Sequence, residues 1–142
     1  MTDDGFKWVV LSGCWLLYFV FGLSVTSLAP LVPEITAELG LSRADMGLVL
    51  GAWQFVYIFL AIPVGFALQR LGAGKMLILA AVIIAVSGIS RSLAESHWSL
   101  LAAVAVFGLG GPVVSAGVPQ TVSKWFTGSQ RGLAMGIYIT AP

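Results

Sequence analysis

Four apolar runs, each long enough to cross a lipid bilayer as a helix, constrain this chain more than anything else in it. They cover 8–29, 46–68, 76–94 and 98–123. A hydrocarbon core roughly 30 Å thick needs about 20 apolar residues in helical form. Backbone N–H and C=O groups find no water there, so each run is expected as a helix and the chain as an all-α, polytopic membrane helix bundle. Composition agrees, because 58% of the residues are hydrophobic and only 9% charged, against about a quarter charged in soluble domains. A fifth run, 132–142, supplies only about 16 Å of helix at 1.5 Å per residue and cannot cross. The expectation is therefore about four and a half transmembrane helices, the amino-terminal portion of something longer that stops inside a membrane helix. A signal peptide is the alternative for the first run, but that run is longer than an h-region and is preceded by Asp3 and Asp4. Cys14 is alone, so no intrachain disulfide can form, and it reads as a small buried hydrophobe.

Charge placement orients the runs. The loop after the second run carries Arg70 and Lys75, and the loop after the fourth carries Lys124 and Arg131, with no acid in either. The loop after the first holds Glu34, Glu38 and Asp45 against Arg43, and the turn after the third holds Glu95 beside His97. Basic loops stay in the cytoplasm. The expected topology is a multi-pass protein of the plasma (inner) membrane with the amino terminus, bearing Lys7, inside.

The chain also repeats itself. "VPEI" at Val32 to Ile35 and "GLVLGAW" at Gly47 to Trp53 are echoed by "VPQT" at Val118 to Thr121 and "GLAMGIY" at Gly132 to Tyr138, an offset of about 85 residues. Three spans separate the copies, so they point in opposite directions, which is the inverted three-helix repeat of secondary transporters. Gly47 with Gly51, and Gly132 with Gly136, are small-xxx-small pairs expected to let helices approach closely. Gly108, Gly110, Gly111 and Pro112 make the fourth run the most breakable, either to bend a moving helix or to serve helix contact alone. Ser42 followed by Asp45 is a capping pattern for the second helix.

The stretch "GFALQRLGAGK", Gly65 to Lys75, joins the second and third spans so briefly that those helices must be adjacent and antiparallel. Gly72 and Gly74 are expected to allow the reversal, while Arg70 and Lys75 hold it inside. Its pattern, Gly65-x-x-x-Gln69-Arg70-x-Gly72-x-x-Lys75, resembles the signature loop between the second and third helices of the major facilitator superfamily. Gln69 stands where that family has an acid, and Gly74 where a base is usual. "LGLSRADMGLVLGAW" and "SKWFTGSQRGLAMGI" are similar to the family's second-helix start and its loop between helices four and five. Gly136 to Pro142 resembles the start of a fifth-helix Gly-Pro motif, with Ala141 in place of its glycine. The fourth helix lacks the arginine of many proton-coupled relatives, having Ala103, Val104 and Ala105 there, which speaks against drug/proton exchange.

The resemblance implies that the signature loop helps lock two six-helix halves, so a gating role falls to Gly65, Gln69, Arg70, Gly72 and Lys75. Setting topology alone is the alternative for Arg70 and Lys75. With a neutral amide at Gln69 the ionic part of such a lock is weaker. The resemblance also implies a substrate cavity between the first and fourth helices, helped by the second and fifth. Its candidate lining is Trp15, Tyr18, Gln54, Tyr57 and Gln120, with Ser24, Thr26 and Ser115 nearby. Trp15 with Tyr18, and Gln54 with Tyr57, are three apart and expected to share a face. A glutamine in hydrocarbon needs partners, so Gln54 belongs in a cavity or at a helix interface.

Arg91 is the one charge written inside a span, roughly 24 Å along a helix from Lys75 and so near the outer end. Either it snorkels to the interface beside Glu95, or it is an anion site or outer gate. In the second case the cargo is a small anion, and the helices and the "KWF" loop are similar to carriers of cyanate, nitrate or small carboxylates. His97, the single histidine, lies outside the runs without convergent carboxylates or thiols, so neither an intramembrane enzyme nor a metal site is expected. No phosphate-cradling loop is present and no filter or charged ring is visible. The expected function is secondary transport of a small solute by alternating access, with no cofactor and no nucleic acid. The expected partners are a small-molecule substrate, the lipid bilayer and a missing C-terminal half. The competing reading is a fragment that binds a partner half and does not transport alone.

Overall fold

The computed structural model describes residues 3–142, and its regular elements are all helical among them. Helix α1 spans Asp3–Thr26, a 3-10 turn covers Ala29–Leu31, and α2 spans Val32–Leu39. Then come α3 (Arg43–Leu71), α4 (Ala73–Ser92), α5 (His97–Trp125) and α6 (Ser129–Ile139). The helices α3 and α5 start just before their apolar runs because serine caps set their first turns. Ser42 Oγ accepts the Asp45 N–H at 3.1 Å while Asp45 Oδ2 accepts the Ser42 N–H at 3.0 Å. Ser96 and Ser99 repeat the reciprocal arrangement at 3.2 and 3.0 Å. Each such cap satisfies two donors that the first turn leaves orphaned.

The segment read as a loop after the first run is largely helix α2. Pro33 sits in its first turn, where its missing N–H costs nothing. Gly40, in the left-handed region at φ 63°, ends it. Val32, Ile35 and Leu39 pack onto a small cluster of Leu28, Met46, Val49, Leu100 and Val104, so α2 lies across the starts of α3 and α5.

Helix α5 is the hub, packing against α1, α3, α4 and α6 and burying more of itself than any other helix. Its glycines explain how. A Cβ on Gly108 would stand 2.5 Å from the Trp53 carbonyl oxygen and 2.7 Å from Val56 Cβ of α3. One on Gly111 would lie 2.9 Å from the Tyr57 ring, and one on Gly117 would lie 3.0 Å from Leu77 of α4. The helix runs unbroken through Pro112 and Pro119, so its glycines serve helix contact here. The expectation for the two small-xxx-small pairs needs correction. A Cβ on Gly47, Gly132 or Gly136 would meet nothing within 4 Å, and one on Gly51 would meet only Gln54 of its own helix. Close approach falls to α5 because it is the helix that packs against α1, α3, α4 and α6.

Outward surfaces are apolar, with Phe55, Ile58, Phe59, Ile62 and Phe66 of α3 and Ile78, Val82, Val86 and Ile89 of α4 exposed. Among the described residues four helical segments are long and apolar enough to cross a membrane, and exposed apolar faces of this extent suit lipid or further helices rather than water. Lys7, Arg70, Lys75, Lys124 and Arg131 gather at one end of the bundle, and Glu34, Glu38, Asp45 and Glu95 at the other. Helix α6 runs parallel to α1, since Lys7 Nζ donates to Gln130 Oε1 at 2.7 Å and, further along both helices, Trp15 Nε1 donates to Thr140 Oγ1 at 3.2 Å.

Gly108→Ala should destabilise the bundle by about 1–3 kcal/mol, because a backbone carbonyl cannot step aside for the new methyl. Gly132→Ala should leave stability unchanged or raise it by up to about 1 kcal/mol through helix propensity. Unfolding in detergent micelles followed by circular dichroism checks both, and equal effects at the two positions would overturn the packing assignment.

Candidate functional site

Aromatic side chains from four helices meet along the middle of the bundle. Phe107 of α5, fully buried, stacks on Phe21 of α1 at 5.3 Å and takes the edge of Trp53 of α3 at 5.7 Å. Phe21 stacks in turn on Tyr18 at 5.9 Å, and Tyr18 meets Tyr138 of α6 edge-on at 5.6 Å. Trp53 and Tyr138 are the aromatic ends of the two repeated Gly-Leu-x-x-Gly segments. Both land on the same α1 pair, Trp53 against Phe21 and Tyr138 against Tyr18. Edge and offset geometries of this kind add to plain burial. Phe21, Trp53, Phe107 and Tyr138 were not among the sequence candidates, and the repeat itself was the signal that could have found Trp53 and Tyr138.

The candidates named from sequence divide among separate places. Trp15 and Tyr18 both turn toward α6, Trp15 also stacking on Phe19 at 5.3 Å. The Tyr57 hydroxyl shares a 2.8 Å hydrogen bond with Ser115 Oγ, joining α3 to α5 beside Gly111. Gln54, one turn from Tyr57, is exposed, and its amide lies against the Leu50 and Gly51 carbonyls of its own helix. Gln120 is half-buried on α5, farther along than Ser115, with no side-chain hydrogen bond to the described residues. The shared face expected of Gln54 and Tyr57 therefore splits, since α5 covers one and not the other.

Arg91 points into the bundle. Its Nη1 donates to the Ser24 carbonyl in the last turn of α1 at 2.8 Å, and its guanidinium lies over the Phe107 ring at 5.0 Å. Ser24 O is one of the terminal carbonyls that a helix cannot pair internally, and a cation there also meets the negative end of the helix dipole. Arg91 Nε is buried with no hydrogen-bond partner. Among the described residues the ion pair is Lys7 with Asp4, at 3.1 Å. Arg91 thus makes none with Glu95, and the snorkelling geometry is not the one adopted. A cavity of about 410 Å³ opens beside it beneath α2, bordered by Ser24, Ser27, Glu38, Gly88 and Ser92.

At the basic end, α3 and α4 are joined by Gly72 alone. It closes one helix, its N–H donating to Leu68 O at 3.1 Å, and opens the next, its carbonyl accepting from the Met76 N–H at 3.3 Å. Its φ of 85° with ψ of 145° suits glycine and few other residues. Gly74, expected to share in the reversal, is instead helical in the first turn of α4. Gln69, Arg70 and Lys75 are exposed and make no side-chain hydrogen bond among the described residues. Gly65 borders a shallow groove of about 200 Å³ with Ala61, Ile62, Phe66 and Gln69.

Comparison with known proteins gives this architecture a family. The model of the Major Facilitator Superfamily matches residues 14–141. A nitrite extrusion protein of Bacillus subtilis is 29% identical, over 78% of this chain and 28% of its own. A probable sulfoacetate transporter of Cupriavidus necator is 26% identical, over 91% of this chain and 30% of its own. A probable nitrate transporter of Staphylococcus carnosus is 32% identical, over 86% and 31%. The chain thus spans less than a third of the length of the curated relatives it matches.

Tyr57→Phe and Ser115→Ala should each cost about 0.5–1.5 kcal/mol of bundle stability. Because the two hydroxyls contact only through this bond, the double variant should cost less than the two singles together. Additive losses in the same detergent unfolding assay would mean that the hydrogen bond does not join α3 to α5.

Proposed function

This chain belongs to the Major Facilitator Superfamily, and on that premise we propose that it forms part of a secondary transporter of small anions that works by alternating access. The observation carrying the reading is Arg91, a cation turned into a membrane bundle with no acid paired to it. An ionisable side chain is expensive inside a membrane and is kept where it meets a charge or lines a pathway. The three relatives reported above are named for nitrite, sulfoacetate and nitrate, each an anion, which supports the same cargo class. Arg91 would attract the cargo, and Tyr57, Ser115 and Gln120 would supply hydroxyl and amide groups along its path. Trp15, Tyr18 and Gln54 remain candidate lining from the neighbouring helices.

The gating role belongs to the α3–α4 joint. Gln69, Arg70 and Lys75 are exposed and free of partners among the described residues, as groups awaiting a second helical half would be. Gly72 holds them on a turn with no slack, so rocking of this bundle would carry them as a rigid unit. The open glycine pairs of α3 and α6 fit the same picture of helices that meet further helices. We place the basic end in the cytoplasm of a plasma (inner) membrane, following the positive-inside rule. Since the chain spans under a third of its relatives' length, a second half, in the same polypeptide or another, would complete the path. The driving force would be an ion or substrate gradient.

Uptake of labelled nitrate by the protein expressed from the longest reading frame containing this chain tests the proposal. Arg91→Ala should reduce uptake about tenfold or more, on loss of a charge-assisted hydrogen bond. Gly72→Val should insert normally yet lose most transport, because a β-branched residue at this φ costs about 1–3 kcal/mol and disturbs the joint. Unchanged uptake in Arg91→Ala at equal expression would remove the anion assignment. Unchanged uptake in Gly72→Val would remove the gating role.

A further inference from the structure

The contacts of Arg91 leave part of its hydrogen-bonding capacity unused. Its present partner, the Ser24 carbonyl, is a neutral dipole at the end of α1 that offers only part of a negative charge. Ser27 Oγ already donates to that carbonyl at 3.1 Å, so the oxygen keeps a donor if the arginine leaves. The guanidinium retains an unpartnered, buried Nε, and beside it lies the 410 Å³ cavity beneath α2. The bond to the carbonyl is charge-assisted from the arginine side alone, whereas an oxyanion brings a full opposite charge and can take two parallel N–H donors from one guanidinium, so an anion entering this cavity competes with the carbonyl for Arg91.

Resting on the anion reading above, we infer that the cavity beneath α2 is an anion-binding vestibule in which a small oxyanion displaces the Ser24 carbonyl from Arg91 and thereby unlatches α1 from α4. Through the Ser24 carbonyl, Arg91 ties the last turn of α1 to the last turn of α4. Elsewhere α1 and α4 touch little, and they are separated by a shallow apolar groove bordered by Gly13, Cys14, Leu17, Gly74 and Ile78. With the anion bound, that tie is gone and the end of α1 is free to move. Glu38 of α2, the one carboxylate bordering the cavity, opposes the anion and sets how tightly it is held. Recognition of cargo and release of a helix are then one event at one side chain.

The test places spin labels at Leu23→Cys and Leu93→Cys, exposed positions in the last turn of α1 and just past α4, in the protein expressed from the longest reading frame containing this chain, with Cys14→Ala and any further cysteine removed, in phosphatidylcholine nanodiscs. Electron–electron resonance then reads the label distance, and calorimetry reads nitrate binding. Nitrate should bind and shift the distance to longer values. Arg91→Gln should show the longer distance without nitrate and bind it about tenfold or more weakly. Glu38→Gln, an exposed change that leaves packing intact, should bind nitrate more tightly and reach the long distance at a lower concentration. Binding that depends on Arg91 with no change in distance overturns the latch while leaving the anion reading standing. Absence of nitrate binding overturns both. Unchanged affinity in Glu38→Gln overturns the cavity as the site. Lengthening caused by phosphatidylglycerol and not by nitrate overturns the free anion in favour of a lipid phosphate.

Discussion

The contact on which the rest of this bundle depends is the seating of α5 against α3 at Gly108, where a side chain of even one carbon would strike the Trp53 carbonyl. In a membrane no hydrophobic force draws helices together, because lipid tails are as apolar as leucine. Association then rests on dispersion and on a few hydrogen bonds, both of which need close approach. Gly108 and Gly111 give α5 that approach toward Trp53, Val56 and Tyr57 of α3, and Gly117 gives it toward Leu77 of α4. With α5 seated, Phe107 reaches Phe21 and Trp53, Tyr57 reaches Ser115, and Ser87 of α4 donates to the Ala103 carbonyl at 2.7 Å.

The same packing brings the charged side chain inward. Arg91 is near the end of α4, and a helix end exposed to headgroup water would let its long side chain reach outward. It turns the other way because Phe107, held by α5, presents an aromatic face, and because the last turn of α1 presents the Ser24 carbonyl to it. A guanidinium suits both at once, being planar enough to stack and forked enough to donate sideways. The proposed function and the proposed latch both follow from that choice of direction.

Much of the architecture was legible along the chain, for reasons that belong to the solvent. Hydrocarbon demands self-satisfied helices of a set length, so the four long runs, the Ser42 cap and the tight α3–α4 joint could each be placed locally. The short helix α2 was not, since its polar residues read as loop and its burial depends on meeting Met46, Val49 and Leu100 from two other helices. Among the candidate site residues, Gln54 and Tyr57 show the limit. Their spacing was right, but which of the two α5 covers is a matter of helix rotation that no local pattern records. The small-xxx-small pairs meet no other helix among the described residues, because the motif says that approach is possible and not which neighbour takes it.

By itself, then, the sequence determined an all-helical membrane bundle, the segregation of basic and acidic ends and the family loop, all of which depend on residues close together in the chain or on simple periodicity. The tertiary structure decided which glycines are contact points, that the repeated aromatics Trp53 and Tyr138 converge on one pair in α1, and that Arg91 faces the bundle. Those outcomes depend on how helices rotate about their axes and on who stands opposite. A one-dimensional pattern specifies a helix's faces, and only packing assigns each face its neighbour.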